Sequence, residues 1–112
     1  MNATPIQLIS PQALTATLAQ YYEAPAQKRV IISKMTLSNV SAVVDTVDIH
    51  IVPAGGTADA SNLLLKQKSL DSNQSFPVYQ LEGQILAPGD TVWAKAANVD
   101  AVLFMASGVT VV

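Results

Sequence analysis

Short runs of alternating apolar and polar residues, separated by turn formers about every ten positions, constrain this chain more than any other feature. In the clearest run, residues 43–52, Asp48 and His50 fall on the polar face. The opposite face of that run is expected to carry Val43, Val47, Ile49 and Ile51. No long run keeps the apolar period of a helix. The pattern therefore predicts an antiparallel β-sandwich or barrel.

We interpret the chain as a single antiparallel β-sandwich, jelly-roll or immunoglobulin-like, with about seven or eight strands. The strands are expected at residues 12–22, 28–38, 43–52, 62–70, 76–81, 85–86, 91–97 and 101–112, with a bulge at Gly108 in the last. Residues 62–70 could be a strand throughout, which we favour, or a single helical turn that leads into one. The second strand is expected to bury Ile31, Met35 and Leu37.

Turn residues predict two connections in particular. Residues 53–61 contain too many turn formers for a tight hairpin and are expected to form an exposed loop. In Ala87–Asp90, Pro88 and Gly89 occupy the central positions, which predicts a type II turn. Pro77 suggests that the strand at 76–81 begins at a sheet edge.

With 112 residues the chain has room for one core. We divide it into an N-terminal arm, residues 1–11, and a β-sandwich domain, residues 12–112. The arm carries Ile6, Leu8 and Ile9. It is expected either to dock on a neighbouring subunit by strand addition or to cover the end of its own sandwich.

Only 12% of the residues are charged, against about 25% in an average soluble domain. Such a surface suits packing against other protein subunits. The formal net charge is −2 and no basic run is longer than two, so nucleic-acid binding is not expected. No apolar stretch is long enough to cross a bilayer and the N-terminus lacks a basic segment followed by an apolar one, so neither a membrane span nor a secretory signal is expected.

The residue types needed for catalysis are scarce. The chain has one histidine, His50, no cysteine and no Gly-x-Ser-x-Gly motif. Asp45 and Asp48 are three positions apart, an odd difference, and should lie on opposite faces of their strand. The loop at 53–61 offers a metal only Asp59. We predict no catalytic, cofactor-binding or metal-binding residue.

Four aromatic residues could form a stacking platform for sugars, but they share no regular spacing. We interpret them as residues of the core edge or of a subunit interface. They are Tyr21, Tyr22, Tyr79 and Trp93.

Five stretches, taken in order, resemble the small β-sandwich proteins of tailed-bacteriophage and prophage structural modules. Those proteins have a strand that ends in leucine or isoleucine and an asparagine, then a Pro-x-Gly-Gly loop and later a Leu-x-Pro-Gly-Asp turn. The matching stretches here are residues 22–25, 32–39, 51–56, 86–90 and 107–109.

The resemblance implies a virion structural protein without catalytic residues or cofactors. Such proteins decorate the capsid, lie at the neck or support tail fibres, commonly as symmetric oligomers. We therefore expect a homo-oligomer, a trimer or a ring, that contacts major capsid, neck or tail proteins in a virion assembled in the bacterial cytoplasm.

The alternative is a receptor- or carbohydrate-binding module of a phage tail, with a shallow site at the 53–61 loop and the aromatic residues. A metal enzyme built on a jelly-roll barrel is disfavoured, because such enzymes usually gather several histidines.

Overall fold

The computed structural model describes residues 3–111, which form nine β-strands and one turn of 3-10 helix at Ala60–Asn62. The strands are β1 (Ala3–Ala13), β2 (Ala19–Glu23), β3 (Arg29–Asn39), β4 (Asp45–Val52), β5 (Leu63–Leu70), β6 (Ser75–Pro77), β7 (Ile85–Leu86), β8 (Thr91–Ala96) and β9 (Val102–Val111). All pair antiparallel.

The strands form two sheets. Sheet A has the order β1-β9-β3-β6, with β7 also paired to β3, and sheet B has the order β2-β8-β4-β5. The first four strands alternate between the sheets, and the later strands return beside them as the pairs β4·β5, β3·β6, β2·β8 and β1·β9. This is the nested pairing of a jelly roll. The predicted all-β antiparallel sandwich is confirmed, and the strand count is nine rather than seven or eight.

The core lies between the two sheets. Both sheets contribute inward side chains, and each buried aliphatic or aromatic side chain is worth about 1.5–3 kcal/mol relative to an exposed one. The largest fully buried side chains include Leu14, Ile32, Met35, Leu37, Ile49, Leu70, Leu81, Leu86 and Phe104.

The predicted strand at residues 12–22 is wrong, because the chain crosses there from sheet A to sheet B. β1 ends at Ala13 and β2 begins at Ala19, with a loop between them. Leu14 is fully buried at this crossing, and its amide donates to the carbonyl of Val102. The apolar residues that alternate at 14–18 do not mark a strand: Leu14 is buried, but it belongs to the loop between β1 and β2.

Most of the lead that we treat as an arm belongs to β1, an edge strand of sheet A. Pro5 is paired with Val109, and Leu8 and Ile9 are buried in the core of the same chain. The proposed boundary between residues 11 and 12 therefore falls inside a strand. Met1 and Asn2 lie outside the described residues.

A β-bulge explains why the inward face of β3 differs from the prediction. Ser33 is an extra residue between the Ile32 and Lys34 pairings with β9, so the side-chain alternation changes phase there. Met35 and Leu37 are buried as predicted. Ile31 is on the outer face, and Val30 and Ile32 are buried in its place.

Val43 was expected in the core and is exposed instead. β4 begins only at Asp45, because the side chain of Asn39 organises the preceding loop. Its amide nitrogen donates to the carbonyls of Val43 at 2.9 Å and Leu70 at 3.0 Å, and its oxygen accepts from the amide and hydroxyl of Ser41. The rest of the predicted face, Val47 and Ile49, is buried, with Ile51 half-buried.

Three local predictions are confirmed. Residues 53–61 are mostly exposed. Gly89 has φ +87° and the Asp90 amide donates to the Ala87 carbonyl at 3.0 Å, as a type II turn requires. β6, which contains Pro77, lies at an edge of sheet A.

β9 is one continuous strand, and the bulge predicted at Gly108 lies in its neighbours instead. Ser33 of β3 and Leu8 of β1 are the extra residues, and they lie opposite adjacent steps of β9, 107–108 and 106–107 respectively. A β-carbon at Gly108 would overlap the carbonyl oxygen of Ile31 and approach Leu8 Cδ1 at 3.0 Å. Glycine is required here by the close approach of neighbouring strands.

We predict that Gly108→Ala lowers the free energy of unfolding by about 3 kcal/mol, because β3 must move away from β9 to admit a methyl group. Chemical denaturation would measure it. The control is Ser107→Ala, one residue earlier and pointing outward, with an expected change of about 0.5 kcal/mol or less. Equal stability of the two variants would contradict the role given to Gly108.

Candidate assembly surfaces

His50 is buried on the outer side of sheet B, beneath the loop that follows β4. The loop supplies Asn62, whose Oδ1 lies 2.8 Å from His50 Nδ1. Asn62 Oδ1 also accepts from the Asp59 amide, and its Nδ2 donates to the Thr57 carbonyl at 2.8 Å. These bonds fix the side-chain amide, so Nδ1 of His50 must donate. His50 lies on the face of β4 opposite Val47, as predicted. Its side chain is buried under the 57–62 loop, however, and it is hydrogen-bonded to Asn62 of that loop.

Asp59 is a structural cap of the 3-10 turn. Its carboxylate accepts from the hydroxyl of Ser61 at 2.5 Å and from the Ser61 amide at 2.9 Å. The Ser61 hydroxyl is the main reason that the pKa of Asp59 is below its usual value, with smaller contributions from backbone bonds and His50. Asp59 is one of the residues that close the 57–62 loop over His50.

Asp45 and Asp48 lie on opposite faces of β4, as predicted. Asp48 Oδ2 lies 3.9 Å from Lys95 Nζ on the outer face of sheet B. Asp45 is only 2% exposed, and its carboxylate accepts from the amides of Thr46, Ala97 and Asn98. Neither residue is placed to act with the other as an acid–base pair.

Within residues 3–111, no three His, Cys, Asp or Glu side chains lie close enough to hold a metal ion together. In the same part of the chain, no helix has the length and apolar character needed to cross a membrane.

The four aromatic residues considered as a platform are dispersed over the molecule. Tyr21 packs edge-on against Phe104 of the core, with ring centroids 5.7 Å apart. Tyr22 also packs against the core. Trp93 is on the outer side of sheet B, where its indole donates to Thr91 Oγ1 at 2.9 Å, and Tyr79 is exposed after β6 of sheet A.

The Tyr22 hydroxyl is buried and meets no hydrogen-bond partner among residues 3–111. Burial raises the pKa of this phenol, because the charged form loses its water. An unpaired buried hydroxyl costs stability.

We therefore predict that Tyr22→Phe raises the free energy of unfolding by up to about 1 kcal/mol. The matched control is Tyr21→Phe, because the Tyr21 hydroxyl accepts from the Thr15 amide at 3.3 Å. That control should lose about 0.5–1 kcal/mol. A loss on Tyr22→Phe as large as in the control would contradict the assignment; urea titration distinguishes the two results.

The outer face of sheet A carries a row of apolar residues across four strands. Pro5 of β1, Val109 of β9, Ile31 of β3 and Ile85 of β7 are successive cross-strand partners. Ile85 is 62% exposed. Two shallow grooves of about 440 and 380 Å³ meet at Val109 on this face. We call this surface, with its neighbours Arg29, Lys34, Met105 and Val111, the sheet A face.

The strands of the sheet A face carry basic residues only, and one acid, Glu82, lies beside β3 in the turn between β6 and β7. The five strands of sheet A contain no aspartate or glutamate, and their two charged residues are Arg29 and Lys34. Within residues 3–111 the one ion pair joins Lys95 to Asp48 in sheet B, so neither base of sheet A is paired there. The surface is thus an apolar row beside two exposed bases.

A second apolar surface lies at the opposite end of β3. Val40, Val43, Val44 and Val99 are each more than half exposed. Their two loops are joined by the bond from the Val40 amide to the carbonyl of Ala101 at 2.9 Å, and by the Asp45 carboxylate. We call these four residues the valine tip.

The surroundings of the valine tip are acidic. The 71–74 loop lies beside it, because Ser72 Oγ donates to the carbonyl of Ser41 at 2.7 Å. Together the loops at 40–44, 71–74 and 97–101 contain Asp71 and Asp100, both exposed, and no lysine or arginine.

The sheet edges are poorly suited to strand addition. β1 contains Pro5, Pro11 and two register shifts, and β6 and β7 are separated by a turn. β5 has two register shifts opposite β4, with Gln67 at φ +46°, and β2 has only five residues. Prolines, bulges and short strands are devices that block edge pairing. The faces and loop ends are the surfaces left for contacts.

No family model matches this chain, and no curated protein matches it significantly.

Neither apolar surface was predicted from the sequence. Val43 was assigned to the core, although the side chain of Asn39 turns the chain before it. Ile31 was also assigned inward, since the bulge at Ser33 has no sequence signature. The exposed valines do flank Ser41 and Ala42, and a cluster of small residues before a strand is a signal that would have favoured a loop.

We predict that Asp45→Ala lowers the free energy of unfolding by about 3 kcal/mol, because buried backbone amides lose a charged acceptor. The amides of residues 97–98 should also exchange with solvent faster than in the unmodified protein. Asp71→Ala, an exposed acid in an adjacent loop, is the control and should change stability by about 0.5 kcal/mol or less. Hydrogen exchange measures the effect on these amides and denaturation the change in stability. Unchanged exchange at residues 97–98 would contradict the role given to the Asp45 carboxylate.

Proposed function

We propose that this chain is a non-enzymatic structural protein of a tailed-bacteriophage virion: a capsid decoration protein or a head–tail accessory subunit that stabilises the particle by oligomeric packing. Its partners would be further copies of itself, as a trimer or ring, and major capsid, neck or tail proteins. It would be assembled into the virion in the bacterial cytoplasm.

The observation that carries the proposal is the presence of two exposed apolar surfaces on a small, weakly charged sandwich. Large apolar side chains that stay exposed together commonly mark contacts with other proteins. The sheet A face contributes Ile85 and Met105, which are exposed, and Ile31 and Val109, which are half-buried. The valine tip contributes four exposed valines. Burial of these side chains would stabilise a shell or tube without any chemical step.

Two further points support it by analogy. Jelly rolls are widely used in viral capsid domains, although the same fold also serves lectins and cupins. The ordered stretches that resemble phage structural modules include the confirmed turn at Ala87–Asp90 and the loop at residues 53–56. A fold-level analogy is weaker support for the assembly role than the two apolar surfaces are.

The test is quantitative mass spectrometry of particles purified from the source strain. We expect this protein at a fixed ratio to the major shell protein. A ratio close to that of the shell subunits indicates decoration, and a few copies per particle indicate the neck or tail. Absence from purified particles would overturn the proposal.

The alternative, a receptor- or carbohydrate-binding module of a phage tail, is supported by one observation. Trp93 is the cross-strand partner of His50, and His50 is bonded to Asn62 at the end of the 53–61 loop, so the indole lies close to this loop. Glycan-array binding that is lost in Trp93→Ala would favour the alternative. The assembly role predicts that neither the unmodified protein nor Trp93→Ala binds glycans.

A further inference from the structure

The two apolar surfaces of this chain carry opposite charges. The sheet A face has Arg29 and Lys34 and no acid in any of its strands, whereas the loops around the valine tip have Asp71 and Asp100 and no base. Arg29 and Asn39 mark the two ends of β3, which are about 33 Å apart at about 3.3 Å per residue. The apolar row around Ile31 and the valine tip therefore lie toward opposite ends of β3.

We propose that a second copy of this chain docks its valine tip on the sheet A face, so that subunits associate head to tail. The contact would bury Val43 and Val99 of one copy against Ile31, Ile85 and Val109 of the next. Asp71 and Asp100 would face Arg29 and Lys34 at the rim. This inference rests on the proposed role as an assembling subunit and adds which surfaces meet.

Charge complementarity favours this arrangement over symmetric pairing of like surfaces. Two sheet A faces would bring together four bases, with Glu82 of the β6–β7 turn as the acid beside each face, and two valine tips would bring together four exposed acids. Like charges that meet across an interface cost binding energy, and opposite charges fix its register. A contact between two different surfaces of the same chain is heterologous, and it closes into a ring or continues as a filament.

The blocked sheet edges point the same way. Addition of a strand at β1 would meet Pro5, Pro11 and the bulge at Leu8. Contacts between copies would then use a face or a loop end, as docking of the valine tip on the sheet A face does.

Two charge-reversed variants test the proposal by analytical ultracentrifugation. R29E/K34E makes the sheet A face acidic. D71K/D100N makes the valine tip basic and keeps asparagine at residue 100, where φ is +62°. Each variant alone should need at least about a tenfold higher concentration for half-association than the unmodified protein, because like charges then meet.

Mixed in equal amounts, the two variants should regain association. The acidic face of one then meets the basic tip of the other, and the unchanged basic face of the second meets the unchanged acidic tip of the first. The control K66E reverses an exposed charge on β5 of sheet B and should associate like the unmodified protein. Added salt should reduce the differences between variants, because exposed charges are screened.

Substitutions at the apolar positions give an independent measurement. Val99→Ser and Ile85→Ser should each weaken association at least about tenfold, whereas Leu64→Ser, an exposed leucine on β5 outside both surfaces, should not. All three positions are exposed, so the variants should remain folded, which circular dichroism verifies.

Several results would overturn the inference: a monomeric unmodified protein at millimolar concentration, a single reversed variant that associates normally, or a mixture that fails to recover. Normal association of D71K/D100N alone, together with equal pairing of R29E/K34E with the unmodified protein and with D71K/D100N, would indicate a symmetric sheet A interface instead. Binding of the monomer to anionic vesicles would indicate a membrane surface. Absence of the protein from purified particles overturns the virion role without affecting these results, so the two failures are distinguishable.

Discussion

The pairing of β9 with both β1 and β3 is the interaction on which the rest of the structure depends. β9 carries Val102, Phe104 and Ala106 into the core, and it joins the two longest strands into one sheet. Gly108 lets the neighbouring strands approach closely where each of them bulges. The apolar row of the sheet A face exists only in this register, because its members come from four strands that β9 and β3 hold side by side.

The sheet class and several turns follow from local sequence. Alternation over residues 47–51 and the Pro-Gly pair at Ala87–Asp90 predicted structure correctly, since these signals act over a few residues. The predictions fail where the local structure depends on residues that are distant in the sequence. The phase change at Ser33 depends on the register with β9, and the loop before β4 depends on the bond from Asn39 to Leu70, 31 positions away. No window of sequence contains both partners of such contacts.

The candidate surfaces divide in the same way. Low charge predicted that this protein packs against other subunits, but composition gives no location. The absence of acids from sheet A becomes visible only when β1, β3, β6, β7 and β9 are recognised as neighbours. His50 shows the converse: its face was predictable from alternation, whereas its burial depends on how Asn62 and Asp59 fold the following loop over it.

The position of β9 also has a consequence for synthesis of the protein on the ribosome. Pro5 must wait for Val109, more than a hundred residues later in the chain, before it can pair. Contacts between residues so distant in sequence form slowly and late. The hairpin of β4 and β5 can form on the emerging chain, but sheet A stays open until β9 has left the exit tunnel. The complete sheet A face is thus presented only after β9 has been made, so under the proposed role shorter nascent chains would lack one of the two surfaces needed for association.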